Sequence, residues 1–357
     1  VKILGIETSC DETSVAIVSA SREILSHLVF TQLDDHKIHG GVVPEIAARA
    51  HVFHLQNLIE RAVNDAGLTR TDIDGIAATT GPGLIGGVMV GMMAGKALSL
   101  ALQKPFLGIN HLEAHILTAR LTHDIQFPYL CLLVSGGHTQ IICAHGLGDY
   151  EIWASTRDDA AGECFDKSAK MMGLPFPGGP HLEKMASKCD DLARAVSRFP
   201  FTIPMLKSDE IAFSFSGLKT AVKHYVTDLT TAHGDIHEPD LIDLCASFQD
   251  IIARTISYRL AQAIKLFQTR YDLKFIPVVI CGGVAANNHI RAAIHELQNH
   301  APITFIAPPS QLCTDNGAMI AWAGVEYMRT GKSSPLSLKA RPRWPLDELN
   351  ERWIINA

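Results

Sequence analysis

The chain has 357 residues, 47% of them apolar and 19% charged, proportions that exclude a disordered or coiled-coil protein and a length that suffices for two lobes with sizeable cores. A net charge of −6 excludes a global pull towards nucleic acid, so any such contact needs a local basic patch. The eight cysteines are scattered without a Cys-x-x-Cys pair, which points to free thiols in a reducing, cytoplasmic setting and away from a disulfide frame or a cysteine zinc site.

Residues 1–6 read as a strand, with no signal peptide or Arg-rich presequence before them. The chain starts without Met, which leaves a removed leader open. Glu7-Thr8-Ser9-Cys10-Asp11-Glu12-Thr13 reads as a tight polar turn, residues 14–19 as the returning strand and 24–31 as a third strand. Backbone amides in such a turn can form an anion-binding nest, although an ordinary hairpin has the same composition. Residues 45–66 have helical periodicity, and His51 and His54 on that helix are expected to be surface or packing residues. A strand over 76–80 breaks at Gly81-Pro82-Gly83. The apolar run 84–102 is long enough to suggest a membrane helix, but Lys96 interrupts it. Gly87, Gly91 and Gly95 form a small-residue ridge, and the expectation is a buried helix packed closely on a sheet, with no membrane partner.

Residues 105–109 form an apolar strand that runs into Asn110-His111-Leu112-Glu113-Ala114-His115. Two histidines four apart share a helix face, so both rings can reach one metal ion. Asp315, in Cys313-Thr314-Asp315-Asn316-Gly317, is the candidate third ligand. The same spacing suits two solvated or cation-capping histidines on an ordinary helix. A zinc protease helix places its glutamate one residue after the first histidine, about 100° round the axis, whereas Glu113 comes two residues after, about 200° round. Glu113 therefore points away from both rings, and a metallopeptidase is disfavoured.

Residues 129–134, the turn Ser135-Gly136-Gly137-His138-Thr139 and residues 140–145 form a second strand–turn–strand unit. Two such units, each opening a half of the chain, suggest duplicated lobes, whose turns would hold a phosphate chain from both sides if they faced each other across a cleft. The segment 160–239 is expected to be more irregular, with a helix over 161–172 carrying Asp166, Lys167 and Lys170. Pro177-Gly178-Gly179-Pro180 starts another helix, which carries Glu183. Phe213-Ser214-Phe215-Ser216-Gly217-Leu218-Lys219 leads into a helix, and 241–267 is a long amphipathic helix. A strand over 277–281, Gly282-Gly283-Val284-Ala285-Ala286-Asn287 and a helix from about 289 form a nucleotide-binding arrangement, with Asn287 near the helix start. A strand over 303–307 places Asp315 beyond its carboxyl end. The tail Lys339-Ala340-Arg341-Pro342-Arg343-Trp344-Pro345 is basic and reads as a docking strap, a nucleic-acid contact or a solvated end.

Eight of these stretches occur together and in order in one family, and the chain resembles it from about residue 3 to the basic tail. They are 5–13, 110–115, 134–139, 162–167, 177–180, 213–219, 281–287 and 313–317, and the family is that of the tRNA N6-adenosine threonylcarbamoyltransferases, in their bacterial form. Members were once labelled glycoproteases, against which the placement of Glu113 speaks. The resemblance implies an α/β, two-lobed fold of the actin, sugar-kinase and Hsp70 (ASKHA) type, with strand–hairpin–strand lobes. The expected division is 1–109 plus about 325–357 as one lobe and 110–324 as the other, with a helical insert at about 160–240. The implied reaction moves a threonylcarbamoyl group from threonylcarbamoyl-adenylate to N6 of adenosine 37 in tRNAs that read codons starting with A.

The resemblance further implies metal ligands at His111, His115 and Asp315, with Fe(II) or Zn(II) equally suited. Val134, Ser135, Gly136, Gly137, His138, Asp166, Gly179, Glu183 and Asn287 fall on substrate- and nucleotide-binding positions, and Thr8 and Ser9 join them from the first turn. Asp11 or Glu12 is expected to take the proton from the attacking amine. ATP or ADP is an expected ligand, and a smaller paralogue (TsaB), an ATPase (TsaE) and a synthase that makes the adenylate are expected companions. Ala285 stands where serine is usual and Gly317 where alanine is usual. Two alternatives differ in class: a small-molecule kinase of the same fold, which should not need the histidine pair, and a non-catalytic scaffold.

Overall fold

A computed structural model describes residues 1–355. The first three strands, β1 (Lys2–Glu7), β2 (Glu12–Ser19) and β3 (Ile24–Thr31), form an antiparallel ladder. Helices α1 (Leu33–Lys37) and α2 (Pro44–Asp65) then carry the chain to β4 (Gly75–Gly81), parallel to β1. Helix α3 (Ile85–Leu102) leads to β5 (Phe106–Asn110), parallel to β4, and α4 (His111–Thr122) follows without a loop. The second half opens with β6 (Tyr129–Val134), β7 (Thr139–Gly146) and β8 (Asp149–Ser155). Helices α5 (Ala161–Met171), α6 (Gly178–Ala186), α7 (Leu192–Arg198), α8 (Ser216–His233) and α9 (Glu238–Arg270) come next. They are followed by β9 (Ile276–Cys281), α10 (Asn288–Glu296) and β10 (Ile303–Ile306), and the chain closes with α11 (Gly317–Arg329) and the short strands β11 (Lys332–Ser333) and β12 (Ile354–Ile355).

The strand orders are β3-β2-β1-β4-β5 and β10-β9-β6-β7-β8. Read from the opposite edge, the second repeats the first, with β6 in the place of β1 and β9 in the place of β4. The expected duplication is therefore present strand for strand. Edge strand β8 was not expected from the sequence: along it, buried residues are interrupted by exposed and half-buried ones, so it carries no continuous apolar run. The segment expected to be irregular, 160–239, contains α5 to α8.

The chain forms two compact units. The first comprises residues 1–127, 144–151 and 308–357, and the second 128–143 and 152–307. The expected division assigned 110–127, 144–151 and 308–324 to the other lobe. Packing places them with the first unit, 110–127 and 308–324 because α4 lies on β5 and α11, and α11 lies on β1 and β2.

In the first unit the sheet has a core on each face. Ile3, Val18 and Leu107 pack with Trp322 and Tyr327 of α11, whereas Leu4, Ile6 and Ile17 pack with α2 and with Met92 of α3. The two-residue alternation along β1 sends these side chains to opposite faces. Gly5 faces α11, and a Cβ there would run into Gly317 O and Ala321 N. The glycine ridge of α3 behaves as expected on one face: a Cβ at Gly91 would meet Thr8 Oγ1, and one at Gly95 would lie 3.0 Å from Ala78 Cβ. The other face is not buried. Ile85, Met89, Met93 and Leu100 are exposed there, so the expected buried helix is buried only on the side that packs on the sheet. By length and composition α3 could cross a membrane.

Candidate functional site

Helix α4 starts where β5 ends because Asn110 caps it: Asn110 Oδ1 accepts from the amides of Leu112 and Glu113 at 2.9 and 3.1 Å. The same side chain donates through Nδ2 to Trp344 O at 2.9 Å. The basic tail is thus a strap on this unit, and it also runs from Arg341 N to Thr80 O and from Gly83 N to Pro342 O. Residues 111 and 115, one turn apart on α4, then aim at the loop before α11. That loop is fixed by Asn316, whose Oδ1 caps Met319 N, and by Gly317 N, which donates to Ser14 Oγ.

His111 Nε2 lies 3.4 Å from Asp315 Oδ1 and His115 Nε2 lies 3.1 Å from it. One ligand atom from each of the three residues falls within 4.8 Å of the others. Two imidazole nitrogens and a carboxylate oxygen so placed suit a divalent transition metal. The electrostatics fit a cation as well. Burial would push the Asp315 carboxyl up, but the charge of His111 and hydrogen bonds from both imidazoles carry it well below the usual carboxylate range. Burial pushes His111 down, yet Asp315 and Glu7 overcome that and raise it well above its ordinary value. His115, dominated by burial, is lowered.

Glu113, on the same helix, is buried and accepts from Tyr150 Oη at 3.1 Å and from Tyr327 Oη. Its carboxylate is occupied by two phenols, as its angular position on the helix predicts. The sequence reading overlooked Glu7, which is fully buried at the end of β1 and lies 3.1 Å from His111 Nδ1. The available signal was a carboxylate closing an otherwise apolar strand.

The first turn is more inward-facing than expected. Ser9 N, expected to face an anion, donates to Glu7 Oε1 at 2.5 Å, and Thr8 Oγ1 donates to Gly87 O at 2.8 Å. Both residues are buried, and these two contacts hold the turn together. Glu12 is pushed well above the ordinary carboxyl range by burial and by the charges of Asp315 and Asp11. His51 is a packing residue: it is fully buried, 2.7 Å from Thr13 Oγ1 and 3.0 Å from Cys10 O. His54 stacks on Phe30 at 3.7 Å.

In the second unit the expected nucleotide residues are linked into one chain of contacts. Ser135 N donates to His138 O, and His138 N to Ser135 Oγ, which closes the turn. Gly136 and Gly137 are exposed, with open space where a Cβ would stand. Gly162 at the start of α5 lies against the turn so closely that a Cβ would meet Ser135 O at 2.7 Å. Further along α5, Asp166 Oδ1 accepts from Gly178 N at 2.7 Å. Burial pushes the Asp166 carboxyl up, and the amides of Gly178 and Gly179 oppose this. Glu183 of α6 accepts from Asn288 N at 2.8 Å. Asn287 caps α10 through Ile290 N and donates to Gln249 Oε1, so both ends of its amide are engaged within the unit. Gly282 has φ +91°, and a Cβ there would strike Val134 O. The strand-end turns after β6 and β9 thus sit side by side, at the carboxyl ends of parallel strands where ligands of open α/β sheets collect.

Two repeated five-stranded sheets with crossover helices, one unit carrying a His/His/Asp group, define an α/β protein of the ASKHA class. Solved structures of that class agree. T. kodakarensis HypF superposes with a TM-score of 0.60 at 12% identity, covering 92% of this chain and 48% of that one. The (R)-2-hydroxyglutaryl-CoA dehydratase component A of Acidaminococcus fermentans gives a TM-score of 0.51 at 16% identity, covering 90% and 96%. At such identities the likeness is one of fold alone. The family model of TsaD, tRNA N6-adenosine threonylcarbamoyltransferase, matches residues 23–322. A protein of that name from Brucella suis is 52% identical over 352 residues, covering 97% of this chain and 96% of the relative, and one from Brucella canis is 51% identical over the same length. The chain belongs to the tRNA N6-adenosine threonylcarbamoyltransferase family.

Proposed function

We propose that this chain transfers the threonylcarbamoyl group of threonylcarbamoyl-adenylate to N6 of adenosine 37 in tRNAs reading codons that start with A, and releases AMP. The observation that carries the reading at the level of chemistry is the convergence of two imidazoles on one carboxylate oxygen, in a chain that belongs to a transferase family. His111, His115 and Asp315 would hold one divalent metal, Fe(II) or Zn(II), which as a Lewis acid supplies positive charge to phosphate or carbamoyl oxygens.

The exocyclic amine of adenine is a weak nucleophile because its lone pair is delocalised into the ring. The chain's residues must therefore hold the acyl donor, stabilise charge on it and remove a proton. Gly136 and Gly137 are exposed, and their amides would face developing negative charge. Val134 to His138, Asp166, Gly179, Glu183 and Asn287 form the nucleotide side, which also accepts ATP or ADP. Asp11 or Glu12 takes the proton of the amine. The enzyme works in the cytoplasm with TsaB, TsaE and an adenylate-forming synthase. The exposed apolar face of α3 and its neighbours Val52 and Phe53 on α2 supports a protein companion there.

The test incubates the protein with threonylcarbamoyl-adenylate, its companions and unmodified tRNA, then digests the tRNA and seeks threonylcarbamoyladenosine by mass spectrometry. Product with the wild type and none with Asp315→Ala supports the reading. No product in either, with every component folded, overturns it.

A further inference from the structure

The metal ligands account for the Nε2 atoms of His111 and His115, but not for what holds the rings. His115 Nδ1 is buried without a hydrogen-bond partner among the described residues. His111 is held differently: Glu7 Oε2 lies 3.1 Å from its Nδ1, and Ser9 Oγ lies 3.1 Å from the same atom. Glu7 is fully buried, and a buried carboxylate is costly unless donors surround it. Three donors do: Ser9 N to Oε1 and Thr79 Oγ1 to Oε2, each at 2.5 Å, with His111 Nδ1 completing Oε2.

We infer that Glu7 is a positioning residue that fixes the tautomer of His111, so that the ring presents an unprotonated Nε2 beside Asp315. This rests on the metal reading of His111, His115 and Asp315. An acceptor-only group at Nδ1 keeps the ring proton there, and a ligating nitrogen must be bare.

The substitution Glu7→Gln shows why charge and not shape matters. Glutamine has one acceptor oxygen where glutamate has two. If that oxygen serves the Ser9 amide, which can only donate, the glutamine NH2 faces His111 Nδ1. A donor there removes the acceptor that held the proton on Nδ1 and leaves the Ser9 hydroxyl, 3.1 Å away, to accept from it, so the ring proton shifts towards Nε2, where it blocks the ligand position. The opposite orientation sets two donors 2.5 Å apart at Ser9.

The test strips the full-length protein of metal and titrates it with Co(II), following the visible ligand-field bands. Histidine 15N shifts, with His111 assigned by its absence in His111→Ala, report the tautomer separately. Glu7→Gln is expected to weaken Co(II) binding about 10–100-fold and to move the His111 proton to Nε2. Thr79→Val, which removes a donor from the same carboxylate but leaves His111 its acceptor, is expected to bind as the wild type does. If Glu7→Gln fails to fold, Glu7→Asp replaces it: it keeps the charge but shortens the arm, and is expected to bind more weakly than the wild type. Co(II) binding by the folded Glu7 variant as tight as wild type, a retained Nδ1 proton in Glu7→Gln, or an equal loss in Thr79→Val would overturn the inference. If the wild type itself binds no Co(II), the metal reading has failed and this inference falls with it.

Discussion

The side chain of Asp315 collects two imidazoles on one oxygen, and no other described residue group has that character. Removing it, or His111, takes away a candidate ligand. His111→Ala and Asp315→Ala should lower the transfer rate at least about 100-fold, equivalent to roughly 3 kcal/mol of lost transition-state stabilisation, with an unchanged far-UV circular dichroism spectrum. Wild-type rates in either variant would remove the metal from the reaction. The histidine pair was legible in the sequence because a helix turns a four-residue spacing into a shared face. Glu7 was not, because its partners Thr79 and His111 are brought to it by strand pairing across the sheet.

Among the elements, α11 approaches β1 across a glycine. With Gly317 O and Ala321 N already in the space a Cβ would need, Gly5→Ala forces β1 and α11 apart. A cost of about 2 kcal/mol or more is expected in denaturant unfolding, since overpacking of a backbone contact has no flexible side chain to absorb it. Asp315 precedes α11, so the same substitution should also weaken metal binding.

In the second unit, α7 is tied to α9 by Arg194 and Arg198 on the buried carboxylate of Asp243. The hydrogen bond from Arg194 holds that carboxyl below its usual range, against burial and with help from Arg198. The folded value lies below the unfolded value of about 3.9, so the stabilisation is fully present above about pH 4. It is lost as the pH falls through the folded value. Asp243→Asn should therefore flatten the acid limb of a stability curve measured between pH 2 and 6, and an unaltered limb would assign the acid response to other groups. Periodicity made the long helices legible to within a few residues at each end. The short α7 and the edge strand β8 lack the length or the apolar run that would have shown them.

For the whole molecule, the repeat of one strand order in two sheets could be anticipated from two similar hairpins, but the unit boundaries could not. They depend on α4 and α11 packing against a sheet whose strands are distant in sequence. The apolar face of α3 also acquires meaning only in three dimensions. Ile85, Met89 and Met93 recur every four residues on the exposed side, and a groove of about 380 Å³ beside them is lined by Val52, Leu55, Ile59, Val90 and Leu98. If the proposed smaller paralogue docks on this face, Met93→Glu should abolish co-purification with it while leaving the thermal midpoint of the isolated chain within a few degrees, because Met93 is exposed. Undiminished co-purification would place the companion on another surface.

The separation of 200 positions between His115 and Asp315 sets the order in which the molecule is made. On a ribosome adding about 5–20 residues per second, the histidine pair emerges some 10–40 s before its carboxylate partner, and the strap that fastens Asn110 emerges later still. A nascent chain therefore displays two imidazoles with no third ligand throughout the synthesis of the second unit. A metal at this group would load on the finished polypeptide, and a prematurely terminated product is born without the third candidate ligand.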